Sequence, residues 1–153
     1  MRSAIILLLA WTGLVSGQTS QGASERRQAI LDYQLNLNRA NQLITAMSAM
    51  TKYVASLPDF QERMRNAMTM TPAEQTAKIE SDPKAMSILK QNGLTPREYI
   101  IGVPALRMAL LAAQGMPPGP KIIASPANVA FAKANLAELK PKMDAADGMR
   151  SGK

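Results

Sequence analysis

Apolar residues return every three or four positions over most of this chain, and no segment alternates apolar and polar with a period of two. That spacing belongs to helices with a buried face, and it predicts an all-α fold. Its longest run covers Glu25 to Ser56. One stripe reads Ile30, Tyr33, Leu37, Ala40, Ile44, Met47 and Val54, broken only by Thr51. A second reads Leu31, Leu35, Leu43, Ala46, Met50, Tyr53 and Leu57. Two adjacent stripes make a wide apolar face that can meet more than one neighbour. A single helix here would be roughly 48 Å long at 1.5 Å per residue, and is expected to be the scaffold of the fold.

Leu57-Pro58-Asp59 ends that run. A short helix follows over about Asp59 to Met68, with Phe60, Met64 and Met68 on one face. Then one kind of punctuation recurs: Thr71-Pro72, Asp82-Pro83, Thr95-Pro96 and Ser125-Pro126. Each sets a capping oxygen at the N-cap and a proline at the first helical position, where no N–H is needed. Glu74 and Glu98 stand three residues after Thr71 and Thr95, completing capping boxes. These starts predict helices over about 72–81, 83–91, 96–114 and 126–134. Gly93 and Gly115 mark helix ends. Asn135 with Glu138 starts a last helix to about Ala146, with Pro141 as a distortion. Met116 to Ala124 (MPPGPKIIA) is the longest connection. The expected architecture is an irregular single-domain bundle of five to seven helices around one long N-terminal helix.

The first residues follow another logic. Met1-Arg2-Ser3 is a short positive start, Ala4 to Val15 is an unbroken run without charge, and Ser16-Gly17 precedes the polar QTSQGAS. This order reads as a secretory signal peptide over 1–17, too short for a stable membrane anchor. The expected organisation is therefore signal peptide 1–17, disordered linker 18–24, helical domain 25–146 and disordered tail 147–153. Arg26-Arg27 falls after the apolar run, so it is not a twin-arginine export signal. The expected location is periplasmic or secreted, with no integral membrane segment after cleavage.

Composition narrows the chemistry. With no cysteine, the chain has no lipoprotein attachment site, disulfide, thiolate metal site or covalent haem. With no histidine, it lacks the usual neutral-pH base and the commonest metal ligand, so Ser-His-Asp, Cys-His and HExxH chemistry are excluded. The few carboxylates form no acid–base pair, and Glu74 and Glu98 are explained by capping. The expectation is a non-enzymatic protein without cofactor. The net charge of +7 is spread among acids, without a basic run interleaved with aromatics, so nucleic acid is not expected as a partner.

Four features carry candidate chemistry. Methionine is abundant, and Met64, Met68 and Met70 could form a thioether site for Cu(I) or Ag(I), with Met47 and Met50 nearby. The plainer reading is that methionine fills gaps in a helical core. A third reading is a Met-rich surface that accepts varied partners. Second, Gly102 and Pro104 interrupt the helix REYIIGVPALRMALLAAQG. Pro104 has no N–H for the Ile100 carbonyl, which predicts a kink and a groove against the first helix lined by Tyr33, Leu37, Asn41, Tyr99 and Leu106. Third, Gln34, Asn36, Asn38, Asn41 and Gln42 place many carboxamides in one helix; Asn41, between Leu37 and Ile44, is expected to be buried, fixing register or touching a ligand. Fourth, Arg63 and Arg65 with Lys52, or Lys140 with Lys142, could form a modest basic patch.

Met70-Thr71-Pro72-Ala73-Glu74-Gln75 and Leu94-Thr95-Pro96-Arg97-Glu98 resemble the LTxxQ motif of small helical periplasmic stress chaperones. Each likeness covers only a few residues. Gln75 falls one position late, Glu98 stands where the motif has Gln, and a capping box alone produces the pattern. The resemblance implies an exported helical binding protein. The expected function is binding or interaction in the cell envelope, with Cu(I)/Ag(I) binding and chaperone-like activity as alternatives.

Overall fold

A computed structural model of the protein describes residues 20–148, apart from the side chains at 20, 21, 64 and 68. The expected signal peptide, 1–17, lies outside the described residues. Eight helices and no strand occur among them: α1 Ser20–Asp32, α2 Leu37–Ala55, α3 Phe60–Thr69, α4 Pro72–Glu80, α5 Pro83–Gln91, α6 Pro96–Ala113, α7 Pro126–Ala134 and α8 Leu136–Gly148. None is long and apolar enough to cross a membrane.

Four of these helices begin at the Xaa-Pro caps. Thr71 and Thr95 accept from the N–H groups of Glu74 and Glu98, whose carboxylates accept the cap N–H in return, so both capping boxes form. Asp82 accepts from Lys84 and Ala85, and Ser125 from Asn128. Helix α5 ends in a Schellman motif: Gly93 N–H donates to Lys90 O at 3.1 Å and Leu94 N–H to Leu89 O at 3.0 Å. Gly93 has φ +66°, a conformation costly for any residue with a Cβ. The same bond pair closes α6 at Gly115 and Met116.

The helix predicted over Glu25–Ser56 is two helices. The backbone leaves helical geometry from Tyr33 to Asn36, and Asn36 becomes the N-cap of α2, accepting from Arg39 N–H at 2.8 Å. This division accounts for eight helices where five to seven were expected. The backbone groups it frees are collected by α7: buried Asn128 donates to Tyr33 O at 2.7 Å and accepts from Leu35 N–H at 3.1 Å. Residues 20–24, expected in a linker, belong to α1, and α8 runs two residues past Ala146.

The scaffold is α6, not the N-terminal segment. Helix α6 packs against α1, α2, α4, α5, α7 and α8, and twelve of its residues are buried. A helix apolar on all sides belongs inside. The main core joins Leu43 and Met47 of α2, Leu89 of α5, Leu106 and Leu110 of α6, and Leu139 and Met143 of α8. Ile30 of α1 meets Ile100, Ile101 and Ala105 in a second cluster. Met108 and Ala112 meet Ala124 in a third. Pro104 sits within α6, which stays helical past it, and Pro141 sits within α8.

Candidate functional site

The five residues predicted to line one groove go to different places. Leu106 has no exposed surface and belongs to the main core. Tyr33 and Tyr99 are half-buried and pack on the first and second clusters together. Leu37, the first residue of α2, is 38% exposed. Asn41 is half-buried at the surface, not in the core. It donates to Leu37 O at 2.9 Å and accepts from Lys142 Nζ at 2.7 Å, and Lys142 also donates to Glu138 at 2.7 Å. So Tyr33 and Tyr99 share a location, and Asn41 belongs to a polar network with α8.

Tyr33 takes a place made by Gly102. A Cβ on Gly102 would stand 2.8 Å from Tyr33 Cζ and Oη and 2.9 Å from Leu43 Cδ2, so only glycine lets the ring lie on the α6 backbone. The Tyr33 hydroxyl is buried and has no hydrogen-bond partner among the described residues. Burial pushes its pKa above the ordinary tyrosine range; the Arg39 guanidinium opposes this and the Glu98 carboxylate adds to it. The notch predicted to admit a ligand is thus filled by the protein's own side chain.

Two surface features stand out. The first is a groove of about 520 Å³ between α2 and the end of α5. Asn38, Asn41, Gln42 and Thr45 form its α2 wall, and Lys90, Gln91, Asn92 and Gly93 close it from the other side. Arg39 runs beside it, donating to Gly93 O at 3.1 Å and pairing with Glu98 at 3.1 Å. The amide N–H of Thr95 holds the Glu98 carboxyl below the usual carboxylate range against partial burial, with help from the Thr95 hydroxyl and Arg39.

The second feature is α3. It packs extensively against no other described helix, and none of its described residues belongs to a core cluster. Yet its sequence is amphipathic, with Phe60, Met64 and Met68 in one stripe and Gln61, Glu62, Arg65 and Asn66 exposed. Arg63 pairs with Asp59, the helix's own N-cap, at 2.7 Å, and Gln75 of α4 ties the far end to the body by donating to Ala67 O at 2.9 Å. Next to its start, Tyr53 donates to Asp82 at 2.8 Å.

The residues of the candidate thioether site fall at or beside this helix. Met64 and Met68 are in α3, but their side chains lie outside the described residues; Met70 follows the helix. Met47 and Met50 are in the main core, as the packing reading expects. Among the described residues, no group of His, Cys, Asp or Glu could hold a metal ion. Asn128 and Arg107 were not among the predicted site residues. Arg107, half-buried on α6, pairs with Asp147 of α8 at 2.5 Å and points an N–H at Met47 Sδ, 3.6 Å away. Asn128 carried a local signal, three residues after a Ser-Pro cap, but its remote partners did not.

No protein-family model, curated protein or solved structure matches the chain.

Proposed function

We propose that this is an exported, non-enzymatic interaction protein that engages apolar segments of partner proteins through α3. One observation carries the reading: α3 is amphipathic in sequence, and among the described residues it has no extensive contact with another helix. An amphipathic helix with few neighbours gains stability when its apolar face is covered, and such surfaces mark interaction sites. Methionine suits that task, because its flexible thioether adapts to differently shaped partners. Arg63 and Arg65 flank the stripe in the helical register and favour segments with acidic neighbours. The absence of His and Cys, and of any acid–base pair, fits a role without catalysis.

The test is suppression of aggregation. Residues 18–153 should reduce light scattering from a heat-unfolding globular protein. The triple variant Phe60→Ser, Met64→Ser, Met68→Ser should lose that activity at an unchanged melting temperature. A wild-type chain without effect, or a variant that keeps it, contradicts the proposal. A melt with Cu(I) under reducing conditions separates the alternative use of Met64, Met68 and Met70, since a bound metal raises the melting temperature by mass action.

A further inference from the structure

The break between α1 and α2 is opposed by its own sequence. Residues Tyr33-Gln34-Leu35-Asn36 contain neither glycine nor proline, and the spacing Ile30, Tyr33, Leu37, Ala40 runs through them in helical register. Four other helices start with a cap followed by proline, which stops a helix from continuing through from upstream. Helix α2 starts with the cap Asn36 followed by Leu37, so no residue type forbids α1 and α2 from joining. What bends the chain is the Asn36 cap and, from far along the sequence, the two Asn128 bonds and the Gly102 notch. The notch is an imperfect anchor, because the Tyr33 hydroxyl is buried there without a partner among the described residues. The rest of α1 rests on one patch. Among the described helices it packs extensively only on α6, with Ile30 against Ile100, Ile101 and Ala105.

We propose that two copies of this chain exchange their α1 helices. In each copy α1 and α2 join into one helix through residues 33–36, and α1 lies on the α6 patch of the other copy. The exchange keeps the Ile30 contacts, since patch and occupant are unchanged, and two-fold symmetry closes the pair. Joining restores the backbone bonds that the facing ends of α1 and α2 leave unmade. Leu37 is one of two large apolar residues exposed among those described, and it stands at the hinge. It is covered where the two joined helices pass each other. The costs are the Asn36 cap, the Asn128 bonds and the freedom of the second chain. The bent single chain therefore dominates when dilute and the exchanged pair when concentrated. Helix α3 takes no part, so the exchange is independent of the interaction surface.

Two substitutions at the hinge push in opposite directions, read by sedimentation of residues 18–153 over a range of concentrations. Asn36→Ala removes a cap that only the bent form uses. Each bent chain loses about five-fold, so the dimerisation constant should rise about 30-fold. Leu37→Pro keeps the bent form, since proline suits the first helical position and Asn36 is already extended, at φ −139° and ψ 169°. It forbids the joined helix and should abolish the dimer without lowering the melting temperature. Co-refolding ¹³C-labelled with unlabelled Asn36→Ala chains tells exchange from side-by-side association. Isotope-filtered NOEs from the Ile30 methyl groups to Ile101 should then run between chains. The proposal is overturned by an Asn36→Ala chain that stays monomeric, by a dimer that survives Leu37→Pro, or by a dimer without that contact between chains.

Discussion

Helices α6 and α3 use apolar residues in opposite ways. Helix α6 is apolar nearly all round and is enclosed by six neighbours. Helix α3 is apolar along one stripe and has no extensive neighbour. The first closes the fold; the second is left open at its edge. Burial of apolar area stabilises both kinds of helix, and among the described residues α6 obtains far more of it from its neighbours. This difference separates the residues that hold the protein together from those free to meet a partner.

Mutations should expose the contrast, beginning with stability. Leu106→Ala removes a fully buried side chain at the centre of α6 and should cost about 3 kcal/mol in urea unfolding. Asn128→Ala leaves the Tyr33 carbonyl and the Leu35 N–H without their partner and should cost about 2 kcal/mol, with faster hydrogen exchange at Leu35. Gly102→Ala drives a Cβ into Tyr33 and Leu43 and should cost about 1–3 kcal/mol, with Tyr33 becoming more exposed by fluorescence quenching. Phe60→Ser in α3 should change stability by no more than about 0.5 kcal/mol, since Phe60 belongs to no core cluster.

A pH series sharpens the picture from the side of the caps. Asp82, Glu74 and Glu98 all have carboxyl pKa values below the ordinary range. Burial works against Asp82, but the N–H groups of Ala85 and Lys84 and the Tyr53 hydroxyl outweigh it. For Glu74 the cause is the Thr71 N–H, then its hydroxyl. A depressed native pKa contributes stability above the unfolded value and loses it as pH falls through the native one. Stability should therefore hold from neutral pH down to about 5 and fall below about 4. Glu98→Gln should flatten that acid limb while lowering stability at pH 7.

The sequence was most legible where the physics is local. Thr71, Asp82, Thr95 and Ser125 each start a helix through atoms within three residues, so those four helices are found to within a residue at either end. The break at Tyr33–Asn36 is not local. The apolar stripes run on through it, and the groups that compensate it, Asn128 and the notch at Gly102, lie far along the chain. The same distance hid the fate of the predicted groove, which Tyr33 occupies and whose Leu106 is core. The centrality of α6 was readable in its high apolar content, interrupted after its first turn only by Arg107, yet length favoured the N-terminal segment. The amides of α2 were visible, but the end of α5 that makes a groove of them was not.

The most direct measurement is hydrogen exchange of residues 18–153, alone and with a reduced, alkylated protein that cannot refold. Amides of α6 should open only by global unfolding in both samples. Amides of Phe60–Thr69 should exchange fast alone and become protected when the unfolded protein is added. If α3 is as protected as α6 in the isolated chain, or is unchanged by the unfolded protein, α3 is not the interaction element.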